Sequence, residues 1–519
     1  MIRFFPSLIA FVVMCGAVME TSAVASGGLA GLRRSVYKIT VVSQYPDFAQ
    51  PWRLIPSGTS SGSGFYIGDG RILTNAHVIA NATFITVQRD GDQLPVPARV
   101  LHVAHDSDLA LLTVADPAMF RDVAPLRFGS MPRLRSPVST IGYPTGGDQI
   151  SITEGVVSRV GYHRYVHDGV KEHLLVQVDS AINPGNSGGP VVQGRLVVGV
   201  AFQAFTAAEN TGYIIPTPVV RRFLIDVDDG RYDGHPDDGL SWMRWSLVNA
   251  ATAKFHGFSD GKADRGVKIT AVAPYAPTAG LLLPGDVIVA VDGQNVGVDG
   301  KVVFENERVD FPALFDLRQM GELVTFRVLR EQKEVDVLVR VAPNRPSYVR
   351  GDVYAARPRY TVYAGLVFTA LSRSYLRSFG REWQRRAPIL LRWMDHFAGL
   401  LPVSKDMSEI VVLSARLPDA VNTWARDLTG SVVDSVDGVS VTSVRQLHEL
   451  LVAPGSEHQV LRFQGEDTVL VLDRGRAQAA SPEILGRFGV DPPFWFAGPE
   501  VDGAIQSISA DPDTARGDE

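Results

Sequence analysis

The stretch Gly185-Asn186-Ser187-Gly188-Gly189-Pro190, running on into Val191-Val192, decides the reading of this chain. A serine set among glycines, with a proline and β-branched residues behind it, puts a hydroxyl on a sharp turn that leads into a strand. Such a turn lets the backbone amides of Gly185 and Ser187 converge on one point, where a tetrahedral oxyanion would be held. A serine hydroxyl is a weak nucleophile. It requires a neutral imidazole to take its proton and a buried carboxylate to fix the tautomer of that imidazole.

Residues upstream supply both. His77 stands in Leu73-Thr74-Asn75-Ala76-His77-Val78, where a strand ends among small residues that leave room for a ring. Asp108 stands in Asp106-Ser107-Asp108-Leu109-Ala110-Leu111-Leu112, at the mouth of an apolar strand that would bury it. Asp106 is the rival carboxylate, and His102 and His105 compete with His77; Asp108 is preferred because it abuts the apolar run directly. The spacing Gly185 to Gly189 also fits the nucleophile elbow of α/β-hydrolases, but that elbow turns into a helix and has its histidine after the serine. Here a strand follows. Ala181 lies six residues before the serine, with Ile182 beside it, where specificity for basic side chains needs a carboxylate at the base of the pocket. A basic residue would be left buried and unpaired there, so cleavage after small or medium apolar residues is expected.

Working outward, residues 35 to 223 are short β-rich runs separated by Gly, Pro, Asn and Asp, which predicts an all-β architecture. Val36–Val42, Gly64–Ile67, Arg71–Thr74, Phe84–Val87 and Leu109–Val114 form one set. Val138–Tyr143, Ile150–Val160, Leu174–Val178, Pro190–Val192 and Leu196–Phe202 form a second, so two packed barrels with a cleft between them are expected. Pro216–Leu224 reads as a short helix and Asp226–Asp238 as a linker. Beyond it an internal repeat emerges. Val289-Ala290-Val291-Asp292-Gly293 precedes a helical stretch, Phe311–Met320, and strands at Val324–Leu329 and Glu334–Val341; Val432-Val433-Asp434-Ser435-Val436-Asp437-Gly438 precedes a helical stretch, Ser443–Leu451, and strands at Gln459–Phe463 and Thr468–Leu472. Pro343–Pro358 separates the two copies with linker composition.

Thr74-Asn75-Ala76-His77, Asp108-Leu109-Ala110-Leu111-Leu112 and Asn183-Pro184-Gly185-Asn186-Ser187-Gly188-Gly189-Pro190 together resemble the Deg/HtrA proteases. The likeness runs on through Gly142-Tyr143-Pro144, Thr153–Arg159 and Gly212–Pro216. Gly146-Gly147-Asp148 and Tyr363–Arg377 bring it nearest to the plant-type members with two PDZ domains. The resemblance implies a chymotrypsin-like double β-barrel at 26–234 and two PDZ-like α+β modules, at 239–343 and 360–475, with an insertion at 372–408 and an extension at 476–519. It implies an ATP-independent serine endopeptidase acting on unfolded or damaged proteins, without cofactor, and self-associating on a trimeric plan. The match for a carboxylate-binding loop in the first module, Asp238-Gly239-Leu240, is poor. In the insertion, Leu376, Phe379, Trp383, Leu390, Leu391, Trp393, Met394 and Phe397 offer enough apolar surface to favour a subunit contact, the module's own core being the alternative. A peptide-binding chaperone or scaffold is the competing functional reading.

Composition bounds the rest. Fifty Lys and Arg against 56 Asp and Glu give a net charge of -6, no field that would gather nucleic acid or an anionic membrane. An N-terminal Arg3, the apolar run Phe4–Val18 and Ala23-Val24-Ala25 read as a signal peptide of 25 residues, directing the chain to a periplasm in a bacterium or to an organelle lumen. An uncleaved tether is the alternative, though the run is shorter than a spanning helix needs. The one cysteine, Cys15, lies inside this segment, and Met14 before it argues against lipid attachment. His163, His167 and His173 come without cysteines or dense carboxylates, so they are read as solvated loop residues and no metal is expected. Residues from about 502 onward are polar and expected to fray.

Overall fold

The computed structural model describes residues 31–497 apart from 145–148, 170, 205–211, 237–242, 257, 259–264, 274–275, 343–348, 350, 399–406 and 468. The first 25 residues read as a signal segment, Asp238-Gly239-Leu240, Gly146-Gly147-Asp148 and the polar stretch from about 502 therefore lie outside the described residues.

Six strands close the first barrel: β1 (Val36–Ser43), β2 (Gly58–Gly68), β3 (Arg71–Thr74), β4 (Ala82–Arg89), β5 (Val96–Ala104) and β6 (Leu109–Val114), in the order β1-β2-β3-β6-β5-β4. Their alternation of apolar and polar residues sends Tyr37, Ile39, Val41, Ile72, Ile85, Val87 and Leu112 into one buried cluster. The second sheet comprises β7 (Arg127–Phe128), β8 (Pro137–Gly142), β9 (Ser151–Arg164), β10 (Glu172–Val178), β11 (Pro190–Gln193), β12 (Leu196–Ala204) and β13 (Gly212–Pro216). It runs β11-β8-β9-β10-β13-β12-β7, and β11 also pairs with β12, which closes the second barrel. The double barrel of the chymotrypsin type follows, with the helix Thr217–Asp226 behind it.

The repeat read from sequence has a physical counterpart. Strands Val287–Val291 and Val433–Val436 each turn on an Asp-Gly pair with positive φ, 45° and 77° at Asp292-Gly293, 50° and 82° at Asp437-Gly438. Each Asp carboxylate then accepts a backbone N–H from the neighbouring strand, Thr325 at 2.8 Å in the first copy and Val460 at 2.7 Å in the second. In the first copy the strands Met243–Leu247, Val267–Val272, Val287–Val291, Leu323–Arg330 and Lys333–Arg340 lie side by side in that order, with Gln294–Asn295 pairing back on Val287–Val291. Only Pro312–Asp316 of the expected helix 311–320 forms, capped at Leu317, and Gly321 with φ 83° leads the chain into the next strand. The second copy has two four-stranded sheets, one of which gains Phe494–Trp495 as an antiparallel edge beside Tyr360–Tyr363.

The insertion builds its own core. Leu376, Leu391 and Met394 are buried with Val349, Leu371, Tyr375, Ile410, Val412 and Val432, and Phe379, Trp383 and Leu390 pack against them. For six of the eight residues this replaces the expected subunit contact with the alternative, the module's own core, while Trp393 and Ile389 are large exposed apolar side chains among the described residues of the insertion. Phe48 of the first-barrel side packs on the same cluster.

Candidate active site

Pairing of β3 with β6 places Thr74 opposite Ala110. His77, three residues past the end of one strand, and Asp108, just before the other, are thereby brought to the same rim. His77 Nδ1 lies 2.6 Å from Asp108 Oδ2, and the His77 backbone N–H donates to Asp108 Oδ1 at 2.7 Å. Asn75 Nδ2 donates to the Asp108 carbonyl at 2.9 Å. Asp108 is fully buried and sits at φ 53°, a conformation that Asp tolerates better than most residues. About a third of the His77 side chain, 32%, reaches solvent, so the ring is accessible on the side away from the carboxylate. Burial pulls the His77 pKa down, but the Asp108 charge and hydrogen bond outweigh it and hold the imidazole above its ordinary value.

Ser187 arrives from the second barrel, ahead of β11. Its carbonyl accepts from Ser63 N at 2.8 Å, which ties the serine loop to β2, and Ser63 Oγ donates to the Gly185 carbonyl at 2.7 Å. A Cβ on Gly188 would stand 2.1 Å from the Ser63 carbonyl and 2.2 Å from Thr74 Oγ1, so only glycine permits the two barrels to approach here. Ser187 Oγ donates to the Phe202 carbonyl at 3.1 Å, not to His77. The amides of Asn186, Gly188 and Gly189 are occupied, by Asn183, Ala201 and Asn186 carbonyls respectively. Among the described residues the amides of Gly185 and Ser187 have no protein acceptor, as donors for an oxyanion require.

The rivals are placed elsewhere. Asp106 accepts from Tyr232 Oη at 2.5 Å and from the His235 amide at 2.9 Å, whereas the carboxylate on His77 Nδ1 is that of Asp108. His102 lies on β5, and His105 stacks on Tyr354 with ring centroids 3.8 Å apart and meets His167 Nε2 at 2.9 Å. Burial and the neighbouring His167 push His105 down to about 3. The reading of His163, His167 and His173 as solvated fails: none is exposed, and His173 on β10 is fully buried. Its strand lies between β9 and β13 and is buried on both faces from His173 to Val176, with His173 covered by Asp316 and the Asp106 carbonyl. Ala181 is half-buried and Ile182 buried, with Ile182 close against Gly212. Ser63 and Phe202 escaped the sequence reading; the small-residue run Gly62-Ser63-Gly64 was the available signal for the first.

Residues 62–200 match the family described as Trypsin-like peptidase domain and residues 349–493 match PDZ domain. Protease Do-like 4, mitochondrial, of Arabidopsis thaliana is 37% identical over 453 residues, covering 87% of this chain and 83% of that protein. Protease Do-like 2, chloroplastic, of the same plant is 35% identical over 477 residues, covering 89% and 74%. A solved structure titled HtrA-type protease AlgW with tripeptide shares 22% identity and a TM-score of 0.46, over 62% of this chain and 98% of its own.

Proposed function

The chain belongs to the Do-like, or Deg/HtrA, family of serine endopeptidases, and from that premise we propose that Ser187, His77 and Asp108 carry out its peptide hydrolysis. The observation that supports this most directly is the short His77–Asp108 contact, together with the amides of Gly185 and Ser187 that have no acceptor among the described residues. Asp108 holds the Nδ1 proton, which leaves Nε2 as the base. Ser187 Oγ turns from the Phe202 carbonyl toward that nitrogen, gives up its proton and attacks the scissile carbonyl. The oxyanion is held by the Gly185 and Ser187 amides, the imidazolium protonates the departing amine, and water then cleaves the acyl-enzyme with the same groups in reverse.

The substrates in this reading are unfolded or damaged proteins, cut after small or medium apolar residues that Ala181 and Ile182 admit, without ATP. Residues 239–343 act as a second PDZ-like module beside the matched PDZ region, and copies assemble on a trimeric plan. Export with loss of the first 25 residues is part of the same proposal; relatives carry mitochondrial and chloroplastic names, and no helix among the described residues is long and apolar enough to cross a membrane. Casein digestion tests the chemistry. Ser187→Ala should abolish cleavage, and mass spectra of the wild-type products should end in Ala, Val or similar residues; undiminished cleavage by the variant would sink the assignment, and products ending in Lys or Arg the pocket.

A further inference from the structure

Away from the reacting groups, three side chains from distant parts of the chain meet in a closed space. His173 lies on β10, His235 follows the helix Thr217–Asp226 by several residues, and Asp316 ends the helix Pro312–Asp316 of the first α+β module. Their side chains are 0%, 0% and 3% exposed. His173 Nδ1 stands 3.0 and 3.1 Å from the two Asp316 oxygens, and His235 Nδ1 stands 3.0 Å from Oδ1. The ligand-capable atoms of all three lie within 4.8 Å of one another.

The tautomer of His173 is set from outside this group. Its Nε2 is 3.0 Å from the Asp106 carbonyl, which can only accept, so Nε2 carries a hydrogen. A neutral His173 therefore turns the lone pair of Nδ1 toward the Asp316 carboxylate. Two such lone pairs facing each other out of water repel, and a positive species belongs between them. Metal-bound imidazoles have this arrangement, with the far N–H held by a carbonyl while the near nitrogen ligates. The carbonyl is itself steadied, since the Asp106 side chain is fixed by Tyr232 and by the His235 amide. His235 Nε2 has no hydrogen-bond partner among the described residues, so that ring is not pinned on its far side and can adjust to a shared ion.

We propose that His173, His235 and Asp316 form a site for a divalent transition-metal ion of the zinc class, joining the second barrel, the connector after it and the first α+β module. Two imidazoles and one carboxylate are donors such an ion takes, with water as the fourth ligand, whereas calcium and magnesium take all-oxygen sets. Bound there, the ion would also fix the Asp106 backbone, two residues ahead of Asp108.

The test uses the full chain carrying His77→Ala, so that metal cannot report through the accessible imidazole of the active site. After chelator treatment it is titrated with Zn2+ by calorimetry and with Co2+ by visible absorption. One ion per chain, a four-coordinate cobalt spectrum and a thermal midpoint that rises with zinc are expected. Asp316→Asn and His173→Gln in that background should each weaken binding by about tenfold or more while far-UV circular dichroism stays native. Absence of one-to-one binding by the parent, or equal affinity in folded Asp316→Asn, overturns the proposal and leaves a second proton on His173 as the positive species. Should the variants not fold, the parent's stoichiometry and cobalt spectrum decide alone.

Discussion

At the His77 ring two influences oppose each other, and the sign of the outcome can be measured. Burial favours the neutral form, while the Asp108 charge and hydrogen bond favour the protonated form and prevail. The base must be neutral to work, so kcat/KM should rise with pH through a midpoint above the ordinary imidazole value of about 6.5. Asp108→Asn should move that midpoint down and lower kcat by about 10⁴-fold, because the wrong tautomer is then favoured. A pH–rate profile of both proteins checks both statements. Ser63 is a positioning residue: its hydroxyl accepts from the Tyr143 amide at 2.8 Å and donates to Gly185. Ser63→Ala should reduce kcat by about tenfold with KM and the pH midpoint unchanged, less than the 10²–10³ lost with a direct oxyanion donor. The three residues proposed to react could be singled out because their chemistry demands particular neighbours in the chain, and the pairing of His77 with Asp108 is what the structure adds. Ser63 was not, since its role depends on which distant carbonyl folding brings to it, and His173 was misread because the residue that covers it, Asp316, comes from a distant part of the chain.

Among elements, periodicity revealed most strands of both barrels, and turn chemistry revealed the duplicated Asp-Gly hairpins. β5 escaped because Pro97 interrupts it and few of its residues are fully buried. The helix Arg474–Phe488 escaped because Gly475, Pro482 and Gly486 weaken its propensity; Asp473 caps it by accepting from Arg476 N, and Ala477 and Ile484 anchor it by burial. In the insertion, composition alone could not say whether apolar residues met each other or a second chain. Leu391 is fully buried among them. Leu391→Ala should therefore destabilise the chain by about 2–5 kcal/mol in urea unfolding, with a midpoint independent of protein concentration. A midpoint that moves with concentration would return that surface to the subunit-contact reading.

Over the whole molecule, sequence foretold modules in a row and the structure shows them interpenetrating. The cluster that fills the second barrel continues into Val267, Ile288, Phe311 and Phe326 of the first α+β module, and Glu305 and Glu307 accept from the Met131 and Leu134 amides of the barrel. Long-range packing of this kind leaves no local signal, because each residue reads as the core of its own module. Trp52, near the first barrel, is buried with Tyr360, Val362 and Ile484 of the last module, and Ala355 N donates to Asn81 Oδ1 at 2.8 Å. A chain ending at residue 343 should expose Trp52, red-shifting its fluorescence, and should unfold at lower urea than the full chain. The same wedge of indole has a further result. A backbone cut anywhere between these two regions would not free the pieces: nicked protein should travel as one particle through a sizing column and come apart only in denaturant, so intact mass under native conditions is no sign of an intact polypeptide.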